Sequence, residues 1–309
     1  MDLRTAFGAA EERDAKLAAA RANRDVAAES APIAQARLLP QVALRGTVSR
    51  INQTETTETL LGPRSDQFTG PSDNVQLSLR QTIYRPRDQI GVTIGELQAA
   101  IGEYRLSSAW SDVWLRTVRL WLEVLAADAQ REALVEALEA AQRVQVQERK
   151  RLEAGDGTRD AVAEAEAQVI AAQARLRDAE LLLASRRRAF TLQTGLEGPD
   201  LARWQLPGGP PPPVLAARDH VEFADLVVAR NAELSAAEAT RMIEDARLAQ
   251  ARADYRPTVD LFAAATYQRN DTASNVGATY RSGQVGVQFS VPLYTGGGLT
   301  AAERQAAAA

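Results

Sequence analysis

The sequence predicts an α+β membrane protein, in which a long α-helical hairpin accompanies short β-hairpins that pool with other copies into a transmembrane β-barrel. Three observations predict it. Residues 103–154 contain neither Gly nor Pro, so one helix runs unbroken for far longer than a globular core needs. Four short segments alternate apolar and polar side chains with a period of two, as half-buried strands do. The order helix, strand, strand, helix then occurs twice.

The elements follow in chain order. Residues 9–31 are Ala-rich and helical in pattern; Pro32 interrupts, and the helix resumes to Leu39. After Pro40 the period changes. Val42, Leu44 and Val48 point one way, and Gln41, Arg45, Thr47 and Ser49 the other, which predicts a strand over about 41–50. The polar stretch Asn52 to Asp73 predicts a long loop. A second strand, about 74–84, sets Val75, Leu77, Leu79 and Ile83 against Gln76, Ser78, Arg80 and Thr82. Pro86 ends it.

The helical hairpin spans 87–194. From Glu103 to Ala154, at 1.5 Å per residue, the first arm makes a rod of roughly 78 Å. Trp110, Trp114, Val118, Trp121 and Leu125 give it one apolar stripe, which thins beyond Ala126. Gly155-Asp156-Gly157 breaks the pattern, Thr158 is the expected N-cap of the return arm, and that arm runs to Thr194. A lone hairpin with so narrow a seam is marginal. A Pro- and Gly-rich linker over 197–213 follows, then a helix over 214–255. Strands are expected at about 258–268 and 283–293. Val259, Leu261, Ala263 and Ala265 share one face of the first; Val285, Val287, Phe289, Val291 and Leu293 share one face of the second. Gly296-Gly297-Gly298 reads as a hinge from strand to helix, since it lacks the Lys and Ser/Thr of a phosphate loop.

The second half copies the first. Arg13-Asp14-Ala15-Lys16-Leu17 corresponds to Arg230-Asn231-Ala232-Glu233-Leu234, and Pro40-Gln41-Val42-Ala43-Leu44 to Pro257-Thr258-Val259-Asp260-Leu261. Val75 to Tyr84 aligns with Val285 to Tyr294. The domains are therefore a first repeat, 1–196, the linker, and a second repeat, 214–309, in which a second hairpin is expected to follow Gly298. On this reading the chain is truncated at its C-terminus.

Composition narrows the function. The 309 residues carry a net charge of −4, so no basic surplus argues for nucleic acid. With no Cys, disulfides and thiolate metal sites are excluded. No apolar run reaches the ~18 residues of a spanning helix. Met1 runs straight into Asp2-Leu3-Arg4, which fits either a cytoplasmic chain or one whose signal peptide has been removed. The strands fit either a soluble α+β domain whose sheet packs on helices or tilted membrane spans, apolar toward lipid and polar toward a lumen. Four strands cannot close a barrel, whose edges must vanish in lipid, so several chains have to contribute.

The chain resembles the TolC family of outer-membrane efflux and secretion channels. The resemblance rests on Ala36-Arg37-Leu38-Leu39-Pro40 before Val42 and Leu44, and on the strand exits Ile83-Tyr84 and Pro292-Leu293-Tyr294-Thr295-Gly296-Gly297. It rests also on the hairpin tip Gly155-Asp156-Gly157-Thr158-Arg159 and on the duplication. The whole chain is covered. The resemblance implies a homotrimer with a shared twelve-stranded barrel in the outer membrane and a helical tunnel across the periplasm. It implies no catalytic site and no cofactor. The implied partners are a periplasmic adaptor, or membrane fusion protein, and an inner-membrane ABC or RND transporter. The tip looks most like that of type I secretion members.

The resemblance also implies site residues. Gly155, Gly157, Thr158 and Arg159 correspond to the tip that docks the adaptor. The family commonly continues Thr-Arg-Thr-Asp-Val, whose Asp holds the periplasmic entrance closed. Here Thr158-Arg159-Asp160-Ala161-Val162 puts the carboxylate one position early, about 100° around the helix. Asp160 is thus either a gate residue or a stabiliser of the helix N-terminus. Val75, Leu77, Leu79, Val285, Val287 and Phe289 are expected to contact outer-membrane lipid.

Other candidates fall to plainer readings. His220 has no clustered ligands beside it. Glu164, Glu166, Asp178 and Glu180 are solvated or lumen-facing charge, and the tryptophans are core. A periplasmic adaptor or a soluble coiled-coil protein is the alternative function. The first lacks a duplicated helix–strand–strand unit, and the second leaves four alternating strands unexplained.

Overall fold

The computed structural model describes residues 3–59, 62–198, 220–272 and 275–309. The element order is α1 (Leu3–Arg13), α2 (Ala15–Ala28), α3 (Ser30–Ala36), β1 (Gln41–Thr59), β2 (Gly62–Tyr84), α4 (Pro86–Glu153), α5 (Arg159–Thr194), α6 (His220–Arg230), α7 (Ala232–Ala253), β3 (Thr258–Thr272), β4 (Asn275–Ser290) and α8 (Gly298–Ala308). Two compact units share these elements. One comprises residues 1–24 and 103–235, the other residues 25–102 and 236–309.

In the first unit the hairpin arms are α4 and α5. Pro86 opens α4 at the first helical position, where its missing N–H costs nothing, and Asp88 lies in the first turn. α5 ends on Gly195, left-handed at φ 73°, whose N–H donates to the Thr191 carbonyl, the usual glycine helix stop. Of the tryptophan stripe only Trp121 and Leu125 are core; Trp114 and Val118 are half-buried and Trp110 is exposed, because α1 covers only one side of that turn. Trp121, Val124, Leu125, Ala127, Leu183 and Phe190 bury together with Ala6 of α1. Phe7 of α1 meets Trp110 and Trp114 edge-on, at centroid distances of 4.8 and 4.9 Å. Beyond this cluster the seam is small: Ala165, Val169 and Ala179 are the buried positions of α5 before Leu183.

The second unit carries the sheet. Its four strands lie in the order β1-β2-β3-β4, antiparallel throughout, so the two hairpins join through β2 and β3. Ile101 of α4 and Ala239 and Ile243 of α7 form a small core with Ile94 and Leu97.

Four sequence expectations need correction. The stretch Asn52 to Asp73 is not a loop: the β1–β2 ladder runs from Gln41↔Arg80 to Thr59↔Gly62. Apolar alternation fades there, but Thr54, Thr56, Thr57 and Thr59 favour extended backbone, and Pro63 and Pro71 lie where β2 pairs with β1 alone, as Pro requires. Likewise β3 runs on to Thr272, while β4 begins at Asn275 and stops at Ser290 rather than 293. The helix break near residue 30 falls at Glu29, and Pro32 sits inside the first turn of α3, where it is tolerated. The helix expected over 214–255 is two, α6 and α7, parted at Asn231; positions 214–219 and most of the linker lie outside the described residues.

Candidate functional site

The hairpin tip is built by two glycines and a cap. Gly155 sits at φ 87°, a backbone that a Cβ opposes. A Cβ at Gly157 would stand 2.7 Å from the Leu152 backbone nitrogen, so only glycine permits this approach. The Asp156 N–H donates to the Arg151 carbonyl at 2.9 Å. Thr158 has extended backbone, and its hydroxyl oxygen accepts from the Ala161 N–H at 3.2 Å. Arg159 and Asp160 are exposed, and neither makes an ion pair among the described residues. Asp160 lies in the first turn of α5, where a carboxylate complements the helix dipole. On the α4 side Arg143, Lys150 and Arg151 flank a shallow depression that reaches Asp156. Arg149 pairs with Glu166 across the hairpin at 2.6 Å.

The sheet has two chemically distinct faces. Val42, Leu79, Ala263 and Val285 form one cross-strand row, and Leu44, Leu77, Ala265 and Gly283 the next. Val75, Leu77, Val285, Val287 and Phe289 are exposed and Leu79 is half-buried. All six expected membrane-facing residues therefore share one apolar face that none of the described residues covers. Gln76, Ser78, Arg80, Thr266, Ser282 and Gln284 occupy the other.

Two charged centres went unread in the sequence. Asp260 of β3 is only 4% exposed. It accepts from Arg80 at 2.6 Å and from Arg85 at 2.7 Å, tying β2 and its exit to β3. Asp14 separates α1 from α2. It accepts from the Leu17 N–H at 2.9 Å and from Gln193 of α5 at 3.0 Å, and it pairs with Arg116 of α4 at 3.1 Å. Burial opposes its charge, yet the bonds from Gln193 and Leu17 and the Arg116 guanidinium hold its carboxyl below the usual value. Asn231, its repeat counterpart, likewise accepts from the Leu234 N–H at 3.0 Å. The repeat alignment was the available signal: a capping residue at the same place twice marks a helix break, not one long helix.

Comparison with known proteins settles the family. The sequence model of the outer membrane efflux protein family matches residues 7–196 and 224–309. The chain belongs to that family. Its members are channel proteins rather than enzymes, and membership places this chain among outer-membrane channels. It is 30% identical to the proteases secretion protein PrtF of Dickeya chrysanthemi, over 100% of this chain and 67% of the relative. It is 27% identical to the alkaline protease secretion protein AprF of Pseudomonas aeruginosa, over 96% and 61%. It is 26% identical to the outer membrane protein TolC of Vibrio cholerae, over 97% and 66%. The chain thus spans about two thirds of the length of these relatives. The fold matches the channel CusC at a TM-score of 0.79 and 17% identity, over 99% of this chain and 69% of that one. It matches VceC of Vibrio cholerae at 0.77 and 21%, over 99% and 72%. The α+β class with a long helical hairpin and barrel strands is therefore that of TolC-type channels.

Proposed function

We propose that the chain is the bulk of a protomer of a trimeric channel-tunnel that exports proteins across the outer membrane. The observation that carries this is the sheet. It is one antiparallel layer with an exposed apolar face, and among the described residues β1 and β4 each pair on one side only. In lipid such edges must be closed, and three copies in a ring close them with twelve strands. The repeats 1–196 and 214–309, joined by the linker, supply one β-hairpin each. The helical hairpin projects into the periplasm, where its tip meets a periplasmic adaptor that couples the channel to an inner-membrane ABC transporter. Protein cargo is favoured because two relatives are named for protease secretion.

At the tip, Gly155, Gly157 and Thr158 shape the turn, Arg159 contacts the adaptor, and Asp160 biases closure of the entrance. Because a side chain at Gly157 would strike the Leu152 backbone, docking is tested at the exposed Arg159 instead. Two measurements test the reading. Leu79→Arg should weaken membrane insertion by about 2–4 kcal/mol; insertion equal to the parent refutes the barrel. Arg159→Glu should leave the trimer intact and lower export, while Asp160→Ala should raise resting conductance. Unchanged export would remove the docking role of Arg159, and unchanged conductance would leave Asp160 as a stabiliser of the helix N-terminus.

A further inference from the structure

The apolar face of the sheet ends asymmetrically. Its third row, after the two rows described above, reads Gly46, Val75, Tyr267 and Arg281, and its fourth Val48, Asp73, Arg269 and Thr279. Arg281 lies over the Tyr267 ring at 5.7 Å, which holds its guanidinium on this face. Arg269 is exposed on the same face, and neither arginine makes an ion pair among the described residues. Asp73 is the single carboxylate in these rows, so one positive charge stays uncompensated. Ala265 and Gly283 are small where Leu77 and Val285 are large. They leave a shallow groove that runs from beside Leu79 to Arg281.

We propose that this surface binds one anionic phospholipid per protomer, with its phosphate on Arg281 and Arg269 and one acyl chain in the groove along Ala265 and Gly283. The proposal rests on the reading of this face as lipid-facing. Arginine suits the site because its planar fork bonds two phosphate oxygens at once. An anionic headgroup is favoured over a zwitterionic one, which brings its own cation and leaves the arginine excess unneutralised. The arginines follow the apolar rows on the side away from the strand–helix junctions at Gln41 and Tyr84. The lipid therefore belongs to the leaflet on the side opposite the helices.

The test uses the channel reconstituted in phosphatidylcholine vesicles with spin-labelled phosphatidylglycerol or spin-labelled phosphatidylcholine as probe. The protein-immobilised fraction of each label is read by electron paramagnetic resonance. Phosphatidylglycerol should be favoured about fivefold, the effect of roughly one basic side chain at a membrane surface. Arg269→Gln with Arg281→Gln should bring the two labels to parity. Arg45→Gln, an equal loss of charge on the polar face, should change nothing. Gly283→Leu, whose side chain meets no neighbour within 4 Å at Cβ, should reduce immobilisation of both labels by filling the groove. Parity in the parent, or a preference that survives the double substitution, overturns the proposal. Binding of inorganic phosphate that the double substitution abolishes, with no phosphatidylglycerol preference in the parent, would instead make this a site for free phosphate. Absence of any immobilised lipid would sink the lipid-facing reading itself, and is distinguishable because phosphatidylcholine then fails as well.

Discussion

At the residue scale, Asp14 ties α2, α4 and α5 together. One carboxylate caps α2, receives Gln193 from α5 and faces Arg116 of α4. Its lowered carboxyl value fixes the sign of its pH dependence. A group whose folded value is depressed contributes fully above the ordinary value of 3.8 and loses that contribution as pH falls through the folded value. Asp14→Asn keeps the cap, as Asn231 shows in the second repeat, but puts an amide NH2 where the carboxylate oxygen accepts from Gln193 and faces Arg116. The variant should lose about 1 kcal/mol at neutral pH, and its melting temperature should approach the parent's as pH falls below the ordinary value of 3.8 and through the folded one. Equal stabilities at neutral pH, or a gap that persists in acid, would show that the Arg116 pair is inert. Asp14→Ala also gives up the cap and should cost about 1 kcal/mol more.

At the scale of elements, the two tip glycines fail in different ways when substituted. Gly155→Ala forces a Cβ into left-handed backbone, at about 1–2 kcal/mol. Gly157→Ala drives its Cβ into the Leu152 backbone, which must shift, so the larger effect is expected there. Amide hydrogen exchange at Ala161, bonded to Thr158, reports the local opening, and each 1.4 kcal/mol should speed it about tenfold. Exchange faster in Gly155→Ala than in Gly157→Ala would reverse this ranking. The hairpin was legible in the sequence because its signals are local: a Gly- and Pro-free run, a Gly-x-Gly turn and a Thr cap. The apolar half of each strand was legible because one exposed face imposes strict alternation. The outer halves were not. Once β1 and β2 leave the apolar band, both faces meet water, alternation has no cause to persist, and only Thr content marks the ladder. The charged centres were hidden for a related reason. Arg80 and Asp260 are 180 residues apart, and nothing local to either announces the pairing of β2 with β3.

At the scale of the whole molecule, the extended ladder changes what a topology experiment should show. If strands leading into helices face the periplasm, the far end of the β1–β2 ribbon faces the cell exterior. A plain loop over Asn52 to Asp73 would be cut readily by protease added to intact cells. A hydrogen-bonded ribbon from Gln41↔Arg80 to Thr59↔Gly62 should resist, because cleavage requires the ladder to open first. A short epitope tag inserted between Thr59 and Gly62 should still be recognised by antibody on intact cells, since Thr59↔Gly62 is the last pair of the described ladder. The expected outcome is therefore a divided one: tag accessible, native ribbon protease-resistant, and resistance lost when Pro replaces Thr56, a residue within the β1–β2 ladder. Rapid cleavage of the unaltered ribbon would restore the loop. A tag seen only after the outer membrane is breached would invert the topology, and with it the placing of the Arg269 and Arg281 rim.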